Sequence, residues 1–222
     1  MNGLKYNEKM EKIEKPPKDK SNLPEVYRWI RQNGDKTLGL TYDLNEDSIV
    51  MDLGGYTGVW LNQIVEKYNP NIYAIEPIKL FYDEMVETLK HNKKSNFLNV
   101  GVSNVNDKNG VIYINGDETS DRDLGGDKVA VEFQTMDVIL KNWGLDEVDV
   151  LQINIEGAEY PLLNHMIEND LLKHFKNIKI QFHLNCGGNE IFDRNRIHNS
   201  FIAKGFTKTY DYTFVWENWE RK

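Results

Sequence analysis

The stretch Ser-Ile-Val-Met-Asp-Leu-Gly-Gly-Tyr-Thr-Gly over residues 48–58 leaves this chain few choices of fold. An apolar run ends in Asp52, glycines stand at 54, 55 and 58, and Leu61, Ile64, Val65 and Tyr68 then recur at helical spacing. That order describes a buried strand, a tight turn and a helix N-terminus, the layout that seats a nucleotide-like cofactor. Gly54, Gly55 and Gly58 suit it because a side chain would hold the ligand away from the backbone. A second strand-like run, Ile72 to Ile75, ends in Glu76. An acid about 20 residues beyond such a turn is placed to accept hydrogen bonds from a ribose diol. The two signals together imply an adenosine-containing cofactor.

The details of the turn bear on which one. In a dinucleotide fingerprint the second glycine lets a pyrophosphate approach the backbone. Here Tyr56 stands at that place, and Asp52 adds negative charge beside it. A donor without phosphates and with a cationic amino-acid tail fits better. S-adenosylmethionine has both properties, and Asp52 would balance its charges. A nicotinamide dehydrogenase remains the rival reading of the same loop.

With 222 residues and 40% hydrophobic content, one domain with a sizeable core is expected over residues 23–222. Residues 1–22 alternate lysines with acids and are expected to form a charged tail, mobile or acting as a lid. A net charge of −8 leaves no basic surplus for phosphates, so nucleic acid is not an expected partner. No apolar run reaches the roughly 18 residues of a membrane helix, and the polar start carries no signal-peptide core. The lone Cys186 suits a reducing cytoplasm and reads as a half-buried thiol rather than a nucleophile.

Along the chain, helices are expected from Pro24 to Gln32, over Leu61–Tyr68, over Ile78–Leu89, from Thr135 to Trp143, through Leu163–Ile167, and from Arg194 to Lys204. Strands are expected at Phe97–Val102, Val111–Ile114, Val129–Phe133, Val148–Ile155, Ile178–Leu184 and Thr209–Trp216, with Asn109-Gly110 as a turn. Strands alternating with helices predict a mostly parallel sheet covered on both faces. Ligands then bind beyond the carboxyl ends of the strands, where Asp52, Glu76, Asn154, Glu156 and His183 fall.

Asp-Leu-Gly-Gly-Tyr-Thr-Gly, Ala-Ile-Glu-Pro and Gln-Ile-Asn-Ile-Glu-Gly-Ala-Glu, in this order, resemble the FkbM family of S-adenosylmethionine-dependent methyltransferases over roughly residues 38–216. That family usually shows Lys-Ile-Asp-Val-Glu-Gly-Ala-Glu in the third motif, so Gln152 replaces a lysine and Asn154 an acid. It often shows Glu-x-His at the next strand end, where this chain has Gln181-Phe182-His183. The resemblance implies a seven-stranded class I methyltransferase fold and methyl transfer to oxygen, often on sugar or polyketide hydroxyls. It also implies a role in surface-polysaccharide or natural-product synthesis, with a small or nucleotide-linked sugar as acceptor. A catalytically silent binding module is the second rival, motivated by Asn154 and Gln181.

On this reading Asp52, Gly54, Gly55, Tyr56, Gly58, Glu76 and Asn154 hold the cofactor, with Pro77 and Ile78 along one adenine face and Gly101 and Val102 near the other. His183 is the candidate base, expected to titrate near its ordinary value of about 6.5. Glu156 is the second proton acceptor, while Glu159 is read as a helix cap. His91, His165, His174 and His198 fall on predicted helices and are expected at the surface. Asp121, Asp123, Gly126 and Glu132 match positions of a calcium loop, but Gly125 breaks the pattern. An acidic loop shaping the acceptor site is expected there instead, and no metal site.

Overall fold

The computed structural model describes residues 23–115, 118–120, 126–184 and 186–222. The tail of residues 1–22 lies outside them, as do Asp121, Asp123 and Gly125 of the acidic pattern. Helix α1 (Leu23–Arg31) opens the described chain and is followed by left-handed Asn33. Two short 3-10 turns, Gly34–Lys36 and Leu38–Leu40, lead into the alternating core. This runs β1 (Ile49–Leu53), α2 (Val59–Tyr68), β2 (Asn71–Ile75), α3 (Lys79–Leu89) and β3 (Ser95–Leu98). Four further strands follow: β4 (Gly101–Val102), β5 (Asp107–Asn115), β6 (Glu118–Ser120) and β7 (Asp127–Gln134). The chain then continues through α4 (Met136–Trp143), β8 (Val148–Ile153), α5 (Glu159–Glu168), β9 (Phe175–Ile180), α6 (Glu190–Ala203), β10 (Phe206–Tyr212) and β11 (Trp216–Arg221).

Seven strands form one sheet in the order β10-β11-β9-β8-β1-β2-β3, parallel except at β11. Strand alternation divides its core in two. Met51, Leu53, Leu151 and Ile153 face α4, α5 and α6, meeting Ile139, Leu163, Met166 and Phe201. Val50 and Val150 face the other way, onto Leu61, Ile64 and Val65 of α2 and Met85 and Leu89 of α3. Both faces are therefore dry, which is why these strands read as nearly continuous apolar runs. This is the class I methyltransferase architecture.

The remaining strands form a smaller sheet in the order β4-β7-β5-β6. The expected Phe97–Val102 strand is divided, β3 joining the large sheet and β4 the small one. Asn109-Gly110 is no turn but lies inside β5, where the register against β7 shifts. The shift absorbs a residue without ending the strand. Gly110 is needed because a Cβ there would lie 2.2 Å from the Phe133 ring. The expected last strand, Thr209–Trp216, is a hairpin of β10 and β11 that turns at left-handed Phe214. Strand β9 begins and ends earlier than expected, so His183 stands in the loop beyond its end.

Candidate active site

The C-terminal ends of β1, β2 and β8 open into a cleft lined by Gly54, Tyr56, Glu76, Pro77, Gly101, Val102, Asn154 and Glu156. It encloses about 260 Å³, near the lower end of the range for small-molecule sites. Phe81 and, from the small sheet, Ile112 and Phe133 complete its apolar wall. These three were not legible in the sequence, because their place depends on how the small sheet packs against α3.

The turn after β1 is built by close backbone approach. Gly54 and Gly55 both donate their N–H to the carbonyl of Ile75 at 3.0 Å. Gly54 has φ 78°, and a Cβ on it would lie 2.1 Å from the carbonyl oxygen of Asn154. Tyr56 takes φ 48°, a conformation rare for a residue with a side chain, and its ring packs on Phe81 at 4.4 Å. Strain of this kind gathers at functional sites. Gly55 and Gly58 face away from the cleft, toward Met85. Ile78 points into the small core with Ile112 and Val131, so Pro77 alone of that pair lines the cleft.

Glu76 is almost fully buried yet reaches the cleft wall. Its two oxygens accept the backbone N–H of Tyr56 at 2.9 Å and of Ile78 at 2.8 Å. Burial raises its pKa, and those two bonds oppose the rise. The carboxylate is thereby oriented while each oxygen keeps a lone pair. Asn154 contributes a different signal. It lines the cleft, and its Oδ1 is buried and without a hydrogen-bond partner among the described residues. A buried orphan of this kind is costly unless a ligand meets it.

Asp52 lies beneath the turn rather than on the wall, 1% exposed. Its Oδ1 accepts from Gln152 Nε2 at 3.0 Å, and Gln152 Oε1 accepts from Lys179 Nζ at 2.7 Å. The turn leaves no opening to the carboxylate, so any effect on a ligand passes through the low-dielectric layer of the turn itself.

Behind Glu156, which lines the cleft, His183 sits between two carboxylates. Its Nδ1 lies 3.2 Å from Glu159 Oε1 and its Nε2 3.4 Å from Glu156 Oε2. Glu159 is fully buried, and it also accepts the backbone N–H of His183 at 2.7 Å and that of Gly157 at 2.7 Å. It therefore binds two segments together rather than merely capping a helix. Tyr160 donates its hydroxyl to the His183 carbonyl at 2.7 Å. Burial works against the imidazolium, but the flanking Glu156 and Glu159 outweigh it and hold the ring up at about 10. The expected titration near 6.5 is thus corrected. Position 181 carries no acid here, and the two carboxylates on the ring, Glu159 and Glu156, stand 24 and 27 residues before His183 in the chain. Glu156 itself has φ 54°.

The other histidines divide. His198, expected at the surface, is buried on α6 against Glu217 Oε1 at 2.7 Å. Its side of the helix faces β11, which the sequence reading did not place. Cys186 is half-buried, 3.5 Å from the carbonyl of His183. Among the described residues no three His, Cys, Asp or Glu side chains converge to hold a metal.

The methyltransferase FkbM domain matches residues 52–203, which contain the turn, Glu76, the Asn154–Glu159 segment and His183. The chain belongs to the FkbM methyltransferase family. Its cofactor is accordingly S-adenosylmethionine, and the dehydrogenase reading falls away. The residues present fit that group: an oriented acid at the β2 end, a glycine turn and Asn154, whose Oδ1 has no partner among the described residues, all border one cleft. No curated protein matches the chain. Among solved structures, a fibrillarin/Nop5p complex is 12% identical over 87% of this chain and 82% of that one, with a TM-score of 0.51. An Aeropyrum pernix fibrillarin with natively bound S-adenosyl-L-methionine is 8% identical over 85% and 74%, TM-score 0.49. An rRNA methylase from Streptococcus thermophilus is 10% identical over 86% and 95%, TM-score 0.49. The likeness to the first concerns the fold.

Proposed function

We propose that this FkbM-family methyltransferase transfers its methyl group to a hydroxyl of a small sugar-type acceptor. The observation that carries the reading is the Glu156–His183–Glu159 cluster at the edge of the cofactor cleft. Oxygen methylation must dispose of a hydroxyl proton, and nucleophile alignment does most of the remaining work. S-adenosylmethionine supplies an electrophilic methyl on a sulfonium. Gly54, Glu76, Asn154 and the Tyr56–Phe81 wall would hold it.

The charge state of His183 assigns the roles. A ring that keeps its proton to about 10 does not act as a neutral base at neutral pH. Glu156, about one-third exposed and on the cleft wall, is the proton acceptor. His183 orients that carboxylate and balances its charge, and buried Glu159 fixes the ring from behind. When the hydroxyl proton passes to Glu156, the imidazolium is left paired to Glu159, so no cation is stranded.

The acceptor reading also rests on charge. The cleft lining carries Glu76 and Glu156 and, among the described residues, neither lysine nor arginine. An acceptor phosphate would meet no lysine or arginine among those residues, and Glu76 and Glu156 would repel it. A free sugar, or a nucleotide sugar whose diphosphate stays outside the cleft, is favoured over nucleic acid. Surface-polysaccharide or natural-product synthesis in the cytoplasm is the setting this suggests.

Methyl uptake from labelled S-adenosylmethionine across a panel of free and nucleotide-linked sugars tests the proposal. Uptake on at least one hydroxyl acceptor is expected. Glu156→Gln should lower it roughly 10²–10⁴-fold with little change in cofactor affinity. Binding of S-adenosylhomocysteine with no transfer to any hydroxyl would favour the silent binding module instead.

A further inference from the structure

Three polar side chains stand side by side across the middle of the large sheet. Asp52 on β1 pairs in register with Gln152 on β8, and Gln152 with Lys179 on β9. They share the face that carries Val50 and Val150, and all three are almost fully buried. Lys179 is the anomaly. Among the described residues no carboxylate contacts it. Among those residues its one side-chain hydrogen bond goes to Gln152 Oε1, and the ammonium otherwise lies over the rings of Trp216 at 4.0 Å and Trp60 at 4.9 Å. A buried lysine without a direct counter-ion costs stability that an apolar residue would not. The proposed methyl transfer gives it no role.

The geometry gives one. An ammonium only donates hydrogen bonds and a carboxylate only accepts them. Lys179 therefore fixes which way the Gln152 amide points, its oxygen toward β9 and its NH₂ toward Asp52. Asp52 in turn lies under the glycine turn, its Oδ2 3.8 Å from where a Cβ on Gly55 would stand. We propose that Lys179 is a positioning residue of the cofactor site, acting through Gln152 to hold Asp52 as an oriented carboxylate beneath the turn that receives the cationic donor. The inference rests on the cleft being the S-adenosylmethionine site.

The surroundings make the arrangement sensitive. Asp52 is faced by Gln152, Lys179, Glu76 and, from the N-terminal segment, the Tyr42 ring. Burial pushes its carboxyl up to about 7, Glu76 adds to the rise, and Gln152 and Lys179 oppose it. Lys179 is faced by Gln152, Asp52, Asp35 and the two tryptophans. Burial lowers it to about 7 against the pull of the two acids. Without Lys179, Asp52 loses a nearby cation, and the amide becomes free to turn its oxygen toward the carboxylate. Both changes favour protonated Asp52.

Titration calorimetry with S-adenosylhomocysteine from about pH 6 to about pH 9 tests this in the native protein, Lys179→Met, Gln152→Leu and Asp52→Asn. The native affinity should fall as pH drops through about 7, where Asp52 takes up its proton. In Lys179→Met the fall should move up by about one pH unit, a loss of about threefold at pH 7.5 that grows toward tenfold near pH 6 and is regained near pH 9. Gln152→Leu cuts the relay with Lys179 in place and should move the curve the same way. It also carries the test should Lys179→Met not fold. Asp52→Asn should bind weakly and without the inflection. A variant curve lowered equally at every pH, or superimposed on the native one, would make Lys179 structural and overturn the proposal. Absence of binding by the native protein would instead overturn the cofactor reading itself.

Discussion

At the scale of the residue, the site turns on what surrounds His183. The sequence shows a histidine near a strand end, a position from which it can serve a rim site. It does not show that Glu156 and Glu159 fold back to flank the ring, because that depends on the left-handed turn at Glu156 and Gly157. With both acids in place the ring is held up at about 10. Its ring-nitrogen resonances should accordingly titrate near that value, not near 6.5, in a pH series followed by NMR. Stability follows with a definite sign. The native ring binds its proton more tightly than the unfolded one, so its contribution is complete below about 6.5 and is lost as pH rises to about 10. The stability gap between the native protein and His183→Gln should narrow over that window in urea denaturation. A gap that stays constant from neutral to alkaline pH would show that the ring is not charged in the folded state.

At the scale of the element, the parts set by local pattern were legible and the parts set by pairing were not. The helices at Leu61–Tyr68 and Ile78–Leu89 show apolar residues at 3.6-residue spacing, and α2 and α3 form there. The dry strands β1, β2 and β8 announce themselves by continuous apolar runs. The small sheet does not. Asn109-Gly110 has the composition of a hairpin turn, yet long-range pairing with β7 draws it into a strand. For the same reason Ile112 and Phe133 were absent from the expected site. The strand–turn–helix after β1 was readable because each glycine has a steric reason. Gly54 is the strictest case. Gly54→Ala places a Cβ 2.1 Å from the Asn154 carbonyl oxygen at φ 78°, so backbone must shift. The shift displaces the cleft wall itself, since Gly54 and Asn154 both line it. A loss of at least 1–2 kcal/mol of stability, roughly the left-handed penalty alone, is expected, together with a large loss of S-adenosylhomocysteine affinity. Native-like binding in Gly54→Ala would mean that the turn does not touch the cofactor.

At the scale of the whole molecule, charge decides what approaches the cleft. The chain carries a net −8, and at the cleft the Glu156–His183–Glu159 cluster keeps one net negative charge and Glu76 adds another, with no lysine or arginine among the described lining residues. Such a field repels phosphates and draws cations, and a cleft with low-dielectric walls focuses it. The two forms of the cofactor differ in that respect. S-adenosylmethionine has an ammonium, a sulfonium and a carboxylate, leaving one net positive charge. S-adenosylhomocysteine has lost the sulfonium and is neutral overall. The donor should therefore be steered inward while the product is not. Steering acts over the Debye length, which shrinks from about 30 Å at 0.01 M salt to about 3 Å at 1 M. In stopped-flow measurements the association rate of the donor should fall several-fold as salt is raised across that range. The rate for the product should change far less over the same series. The contrast is independent of which acceptor is used, because neither measurement contains one. Equal salt dependence for the two ligands would mean that the acids of the cleft act only at contact, and the net charge would then serve solubility alone.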